Sequence, residues 1–311
     1  MDKSEETKQN LINTVNMLSR DIGSRSYTET KNLEKAAVFI EEQFRSYGCV
    51  PERQSFEING NIYQNIFSEV KGTDTSDEII VIGAHYDTVY GTPGADDNAS
   101  GIAGVLELSR LFSKKPAQHT INFVAFTLEE PPFFRTRHMG SYIFAESLKR
   151  KNIKVKGMIA LEMIGYFSNK KGAQYYPVPM FRWFYPKIGN FIAFVGNFHS
   201  RSFTNRFAEI FRNESSMHFE SLTGVSLVPG IDFSDHLSFW RFDYPAFMIT
   251  DTAFTETRII TIPVIQLIHL IMKRWPNWLS GFIIPSGRFK KPLHNFFYAG
   301  AFKRVLSALS S

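Results

Sequence analysis

The sequence predicts an α/β domain of three layers, in which a twisted, mostly parallel mixed sheet lies between helices. Three observations carry this. Continuous apolar runs such as "DEIIVIGAHYDT" read as strands buried on both faces. Segments of helical apolar spacing alternate with them. The resulting order strand, helix, strand, helix, strand implies parallel neighbours joined by right-handed crossovers.

Taken in order, Leu11 to Leu18 has helical spacing, and "NLEKAAVFIEEQFRSYG" repeats Leu33, Ala36/Ala37, Ile40 and Phe44 before Gly48, which suits a helix C-terminus. "QSFEINGNIYQNIFSEVKG" alternates around Asn59-Gly60, a hairpin signal. After the "DEIIVIGAHYDT" strand, "ASGIAGVLELSRLF" returns to helical periodicity, with Ala99, Ala103 and Gly104 small enough for close packing on a sheet. A strand at "HTINFVAFTLEE", a helix at "GSYIFAESLKRKN" and a strand at "VKGMIALEMIGY" follow. Residues Phe167 to Pro229 are rich in aromatics and turns, with a strand at "NFIAFVG" and a helix at "SFTNRFAEIFRNES"; "YPAFMITDTAF" is a further buried strand. The aromatics read as core and lid packing.

The chain has 311 residues, 43% of them hydrophobic, enough to bury a full core. Its net charge of +5 comes from interspersed signs, without a basic stripe interleaved with aromatics, so no nucleic-acid partner is expected. The single cysteine, Cys49, excludes an internal disulfide framework and a thiolate-rich zinc site. The polar, acidic start "MDKSEETKQNLINTV" lacks the apolar core of a secretory signal, and a cytoplasmic location is expected. "IITIPVIQLIHLIM" is shorter than the roughly 20 residues a bilayer span requires. Pro263, Gln266 and His269 also interrupt it, so no transmembrane helix is expected.

Several polar residues exceed what structure alone requires. His85 and Asp87 project to one side at the end of their run. A carboxylate beside an imidazole fits either a structural pair or the arrangement that orients a metal-binding ring. Asp96 and Asp97 open a helix, where one Asp would serve as a cap and the second is spare. Glu129 and Glu130 end a strand ahead of Pro131-Pro132. Glu162 lies inside the apolar "GMIALEMIGY", where a buried carboxylate needs a partner or a cation. "DFSDHLSFW" places Asp235 and His236 in a polar turn. Most of these groups follow the C-terminal ends of predicted strands, where open parallel sheets gather ligands. Imidazoles and carboxylates without thiolate suit zinc, with cobalt or manganese as substitutes.

The segments "GAHYDTV", "GADDNASG", "TLEE", "ALEMIG" and "SDH..FW", in this order and spacing, resemble the co-catalytic di-zinc aminopeptidases of the bacterial leucyl aminopeptidase and aminopeptidase Y type. Glutamate carboxypeptidase II and glutaminyl cyclase are more distant relatives. The resemblance runs from about Leu11 to Phe254 and implies a zinc-exopeptidase-like fold. It implies that His85, Asp97 and Glu162 bind one zinc and that Asp97, Glu130 and His236 bind the other, with Asp97 bridging. Glu129 matches the general base and Asp87 the carboxylate that orients His85. The implied reaction is removal of N-terminal residues from peptides by a water acidified between two cations, with Glu129 moving its proton to the departing amine. Carboxypeptidase or glutaminyl cyclase action, and an inactive remnant that only binds, are the alternatives.

Two departures from the resemblance stand out. "EEPPFFRTRHMGS" has no Gly soon after the Glu pair, so Arg135, Arg137 and His138 would shape the rim; His138 and His199 read as surface or packing residues. After "MITDTAF", similar proteins continue with something like "YRNPHYHT" and an acidic stretch, whereas this chain reads "TETRIITIPVIQLIHLIMKRW". Permitted codons for Phe254 to Thr261 (TTT ACC GAA ACC CGC ATT ATC ACA), read one base earlier, give "YRNPHYH". The expectation is a catalytic domain over residues 1–254, a change of reading frame near Phe254, and a tail over 255–311 that is not native to the fold. A divergent membrane-facing or partner-binding tail is the alternative.

Overall fold

The computed structural model describes residues 3–251, except 173, 175, 177–182, 184 and 216. The expected boundary at Phe254, the run Ile259 to Met272 and the tail over 255–311 lie outside the described residues.

The chain begins with α1 (Lys3–Asn16), which runs on into a wider turn at Met17–Ile22, and α2 (Thr30–Ser46). β1 (Pro51–Ile58) and β2 (Asn61–Val70) form the expected hairpin. Its turn residues Asn59 and Gly60 both take positive φ, the pairing that matches the twist of antiparallel strands. β3 (Glu78–His85), α3 (Gly101–Lys114), β4 (Thr120–Phe126), α4 (Gly140–Arg150) and β5 (Lys154–Glu162) follow the predicted alternation. β6 (Ile192–Asn197), α5 (Arg201–Glu214), β7 (Phe219–Gly224), α6 (His236–Trp240) and β8 (Ala246–Thr250) complete it.

Eight strands pair in the order β1-β2-β4-β3-β5-β8-β6-β7 among the described residues. β4, β3, β5 and β8 run parallel, while β2 is antiparallel to β4 and β6 to β8. The mixed sheet is therefore as expected, with its parallel strands at the centre. Successive residues of β3 serve opposite cores: Ile80, Ile82 and Ala84 pack with α1, α2 and α3, whereas Ile79 and Val81 pack with Phe144 and Leu148 of α4 and Phe239 of α6. Burial on both faces is what removed polar residues from the central strands. β7 was not expected from the sequence, because its half-exposed "FESLTG" at the sheet edge is neither a continuous apolar run nor an alternating one.

The chain leaves β3 for β4 on one side, then crosses over to β5 on the other. A crevice opens at such a reversal, outside the carboxyl ends of the strands. His85 ends β3, Glu162 ends β5, and Glu129 and Glu130 follow β4. Among the described residues, no helix is long and apolar enough to cross a membrane.

Close approach of α5 to the sheet depends on Gly157, where an added Cβ would enter the Phe203 ring. Gly157→Ala is expected to lower stability by about 1–3 kcal/mol, measured by urea unfolding. Adding Phe203→Leu to that variant should restore part of the loss.

Candidate metal centre

The register of the central strands explains how distant residues meet. Gly83 on β3 faces Ala160 on β5, so two residues further along each strand His85 and Glu162 stand side by side with the same phase. His85 Nε2 is 3.4 Å from Glu162 Oε2, 3.8 Å from Glu129 Oε2 and 3.1 Å from Asp97 Oδ1. His85, Asp97 and Glu130 each offer a ligand atom within 4.8 Å of the others, the one such grouping among the described residues. His85, Glu129 and Glu162 are buried, while Asp97 and Glu130 are half-buried.

Asp97 is delivered by the turn Ala95–Ser100, which leaves helical geometry at Asp97 and Asn98. Neighbouring side chains hold this turn against the end of β5. Asn98 is fully buried; its Nδ2 donates to the Leu161 carbonyl (2.9 Å) and Glu162 Oε2 (3.3 Å), and its Oδ1 accepts from the amides of Gly101 (3.0 Å) and Met163 (3.1 Å). The following amides are accepted in turn: Ile164 by Ser100 Oγ, Gly165 by Asp96 Oδ1 and Tyr166 by Asp251 Oδ2. Four consecutive N–H groups are thus bound by four different side chains. Glu162 Oε2 also accepts from Ser234 Oγ at 2.8 Å. Leu128 and Met163, which flank the carboxylates, occupy the left-handed region at φ 59° and 49°, a strain that clusters at functional sites.

Asp87 does something the sequence did not indicate. Its carboxylate accepts from the amides of Glu129 and Glu130, each at 3.1 Å, and so fixes the direction of both. His85 Nδ1 instead meets the Asp87 main-chain carbonyl at 3.2 Å, closer than the carboxylate Oδ1 at 3.6 Å. Both the main-chain carbonyl and the carboxylate of Asp87 thus lie beside His85 Nδ1.

The electrostatics are dominated by buried like charges. Burial and repulsion from Glu162, Glu130 and Asp235 push Glu129 well above the ordinary carboxylate range, despite His85. Burial, then Asp97, pushes Glu130 up to about 8. Burial raises Glu162 and lifts Asp96 to about 6 and Asp235 to about 7. Burial works to lower His85, but Glu162 and Glu129, with Asp87 and Asp97, outweigh it and hold the imidazole well above its usual value. Asp97 Oδ1 is buried, and the His85 imidazole is the neighbour at 3.1 Å. A nitrogen-and-oxygen donor set with surplus buried acid is what a divalent cation would neutralise.

His236 does not join the cluster. Its Nε2 lies 2.8 Å from the Ile231 carbonyl, its ring stands edge-on to Trp240 at 4.6 Å, and burial lowers it to about 4. The cause is local. His236 begins α6, a helix too short to show periodicity in the sequence, where adjacent residues diverge in direction and positions four apart meet. His236 therefore meets Trp240, and Asp235 is the residue whose charge is felt by His85, Glu162 and Glu129. Both Asp235 carboxylate oxygens are buried, with the Ser141 hydroxyl beside them. Sequence reasoning also passed over Asn98 and Ser234, although both lie inside quoted motifs. Short polar residues adjoining the expected ligands were the available signal.

On the rim, Arg135 pairs with Asp232 and lies over the rings of Phe134 and Phe233, locking the loop after Glu130 to the one before Ser234. His138 packs on Phe133, and exposed His199 meets the Asp243 carbonyl; neither joins the cluster.

Known proteins resemble this chain in sequence and in fold. The uncharacterized protein YfbL of Escherichia coli (strain K12) is 41% identical over 263 residues, covering 82% of this chain and 80% of that protein. A probable zinc metalloprotease of Phaeosphaeria nodorum is 31% identical over 174 residues, covering 47% of this chain and 34% of its own length. The structure of BSAP, a zinc aminopeptidase from Bacillus subtilis, shares the fold with a TM-score of 0.64 and 14% identity, over 86% of this chain and 93% of that one. Residues 65–257 match the description of Peptidase family M28, and the chain belongs to that family.

Proposed function

We propose that this peptidase is a zinc-dependent aminopeptidase whose metal centre is built on His85, Asp97, Glu130 and Glu162. The observation that carries the reading is the meeting of these four side chains, with Glu129 beside them, at the strand ends where the sheet reverses. The naming of similar proteins as zinc enzymes supports zinc as the ion. Zinc bound there supplies Lewis acidity.

The chain's own residues do the rest. Glu129, which stands 3.8 Å from His85 Nε2 and outside the tightest group of donors, takes a proton from water and delivers it to the departing amine. Asp87 holds the base and its neighbouring ligand in fixed directions through their amides. Asn98 and Ser234 hold Glu162. The half-buried sides of Asp97 and Glu130 admit the peptide.

A second ion, if bound, would be held by Asp97 and Glu130 and would add to the Lewis acidity of the site. His236 does not serve it. The alternative reading of Phe254 to Thr261 as "YRNPHYH" contains two imidazoles, and we propose that the frame changes there and that the unshifted product carries the missing ligand. Resequencing tests the frame, and independently confirmed bases for the present reading overturn it.

Glu129→Gln is expected to retain metal and lose turnover of amino-acid anilides by about 10²–10⁴-fold, whereas Asp97→Asn should lose the metal itself. Elemental analysis beside the assay separates the two. His236→Asn should change metal affinity by much less than the roughly 10–100-fold typical of losing a ligand's supporting partner, measured by chelator competition. Acetylating a peptide's amino terminus should abolish cleavage. Cutting of blocked peptides would indicate carboxypeptidase action instead, and a protein that binds no metal would be a remnant.

A further inference from the structure

Arg25 is fully buried some distance along the chain from the cluster, yet its hydrogen bonds converge on the segment that joins two proposed ligands. His85 precedes this segment and Asp97 follows it. Arg25 Nε donates to the Tyr86 carbonyl at 2.8 Å, between His85 and Asp87. Its Nη1 donates to the Pro93 carbonyl at 3.0 Å and its Nη2 to the Gly94 carbonyl at 3.2 Å, just ahead of the turn that carries Asp97. Nη1 also reaches the carbonyls of Leu18 (2.6 Å) and Gly23 (2.7 Å), which anchor the guanidinium to the N-terminal helices.

The backbone of the same residue reinforces the link. The Arg25 amide donates to Thr88 Oγ1 at 2.9 Å, and the Thr88 amide donates to the Arg25 carbonyl. The Gly94 carbonyl also accepts from the Ala99 amide at 3.1 Å and thereby closes the turn around Asp97. One planar fork therefore touches both ends of the loop and the carbonyl that closes its turn. A glycine is needed at position 94, where φ is +56° and an added Cβ would collide with Thr88, the Asp97 carbonyl and the Arg25 guanidinium.

We propose that Arg25 is a positioning residue of the metal centre, which sets the separation of the His85 imidazole and the Asp97 carboxylate by stapling the two ends of the loop between them. A lysine would keep the charge but not the fork, because an ammonium is a point donor without the fixed planar geometry. The inference rests on His85 and Asp97 being ligands.

The test measures metal affinity by chelator competition and the visible spectrum of the cobalt-substituted protein, alongside the melting temperature of the metal-free protein. Arg25→Lys should weaken cobalt and zinc binding by about 10–100-fold and alter the cobalt bands. Added methylguanidinium should restore affinity to Arg25→Ala, and methylammonium should not. Wild-type affinity and spectrum in Arg25→Lys would overturn the proposal, as would a lowered melting temperature with affinity unchanged. If the Arg25 variants do not fold, Thr88→Val decides: weaker metal binding at an unchanged metal-free melting temperature supports the role, and unchanged binding refutes it. Wild-type protein that binds no metal would instead refute the metal centre on which the proposal depends.

Discussion

The constraint on which the rest of this structure depends is the burial of several carboxylates in one small space. Glu129, Glu130, Glu162 and Asp235 crowd around His85 at the carboxyl edge of the sheet, and burial drives each of them toward the neutral acid. An interior that removes water from so many acids costs free energy unless positive charge arrives with them. Much of the surrounding architecture limits that cost. Asp87 spends its oxygens on two amides, Asn98 uses both ends of its side chain, and Ser234 donates to Glu162. A polar network held in this way is rigid because each member has specific partners.

The fold makes that crowding possible. Parallel strands bring their carboxyl ends to one edge, and the reversal between β4 and β5 leaves space beyond β3. The apolar layers above and below consist of alternate residues of the same strands, so the core and the site are successive parts of the same segments. The side chains proposed to hold the metal stand at, or just beyond, the last paired residues of those strands.

Much of this was legible in the sequence, for physical reasons that differ by element. Central strands and amphipathic helices announce themselves because two-sided and one-sided burial leave different apolar periods, as "DEIIVIGAHYDT" and "ASGIAGVLELSRLF" show. Edge strand β7 has neither signature, since its side chains are only half buried. Glu162 was conspicuous because a carboxylate in an apolar run needs a partner. His236 lies outside the grouped donors because adjacency in the sequence does not give direction at the start of a helix. Arg25 carried no local signal, because its partners are carbonyls, which every residue possesses.

The row of bound amides after β5 has a consequence for how the molecule matures. Met163, Ile164 and Gly165 are held by side chains already synthesised, but Tyr166 is held by Asp251, which leaves the ribosome far later. The Asp251 amide in turn returns to the Met163 carbonyl at 2.7 Å. This wall of the site is therefore finished only after β8 docks beside β5, so a nascent chain that stalls before that strand would expose its acids without their full scaffold.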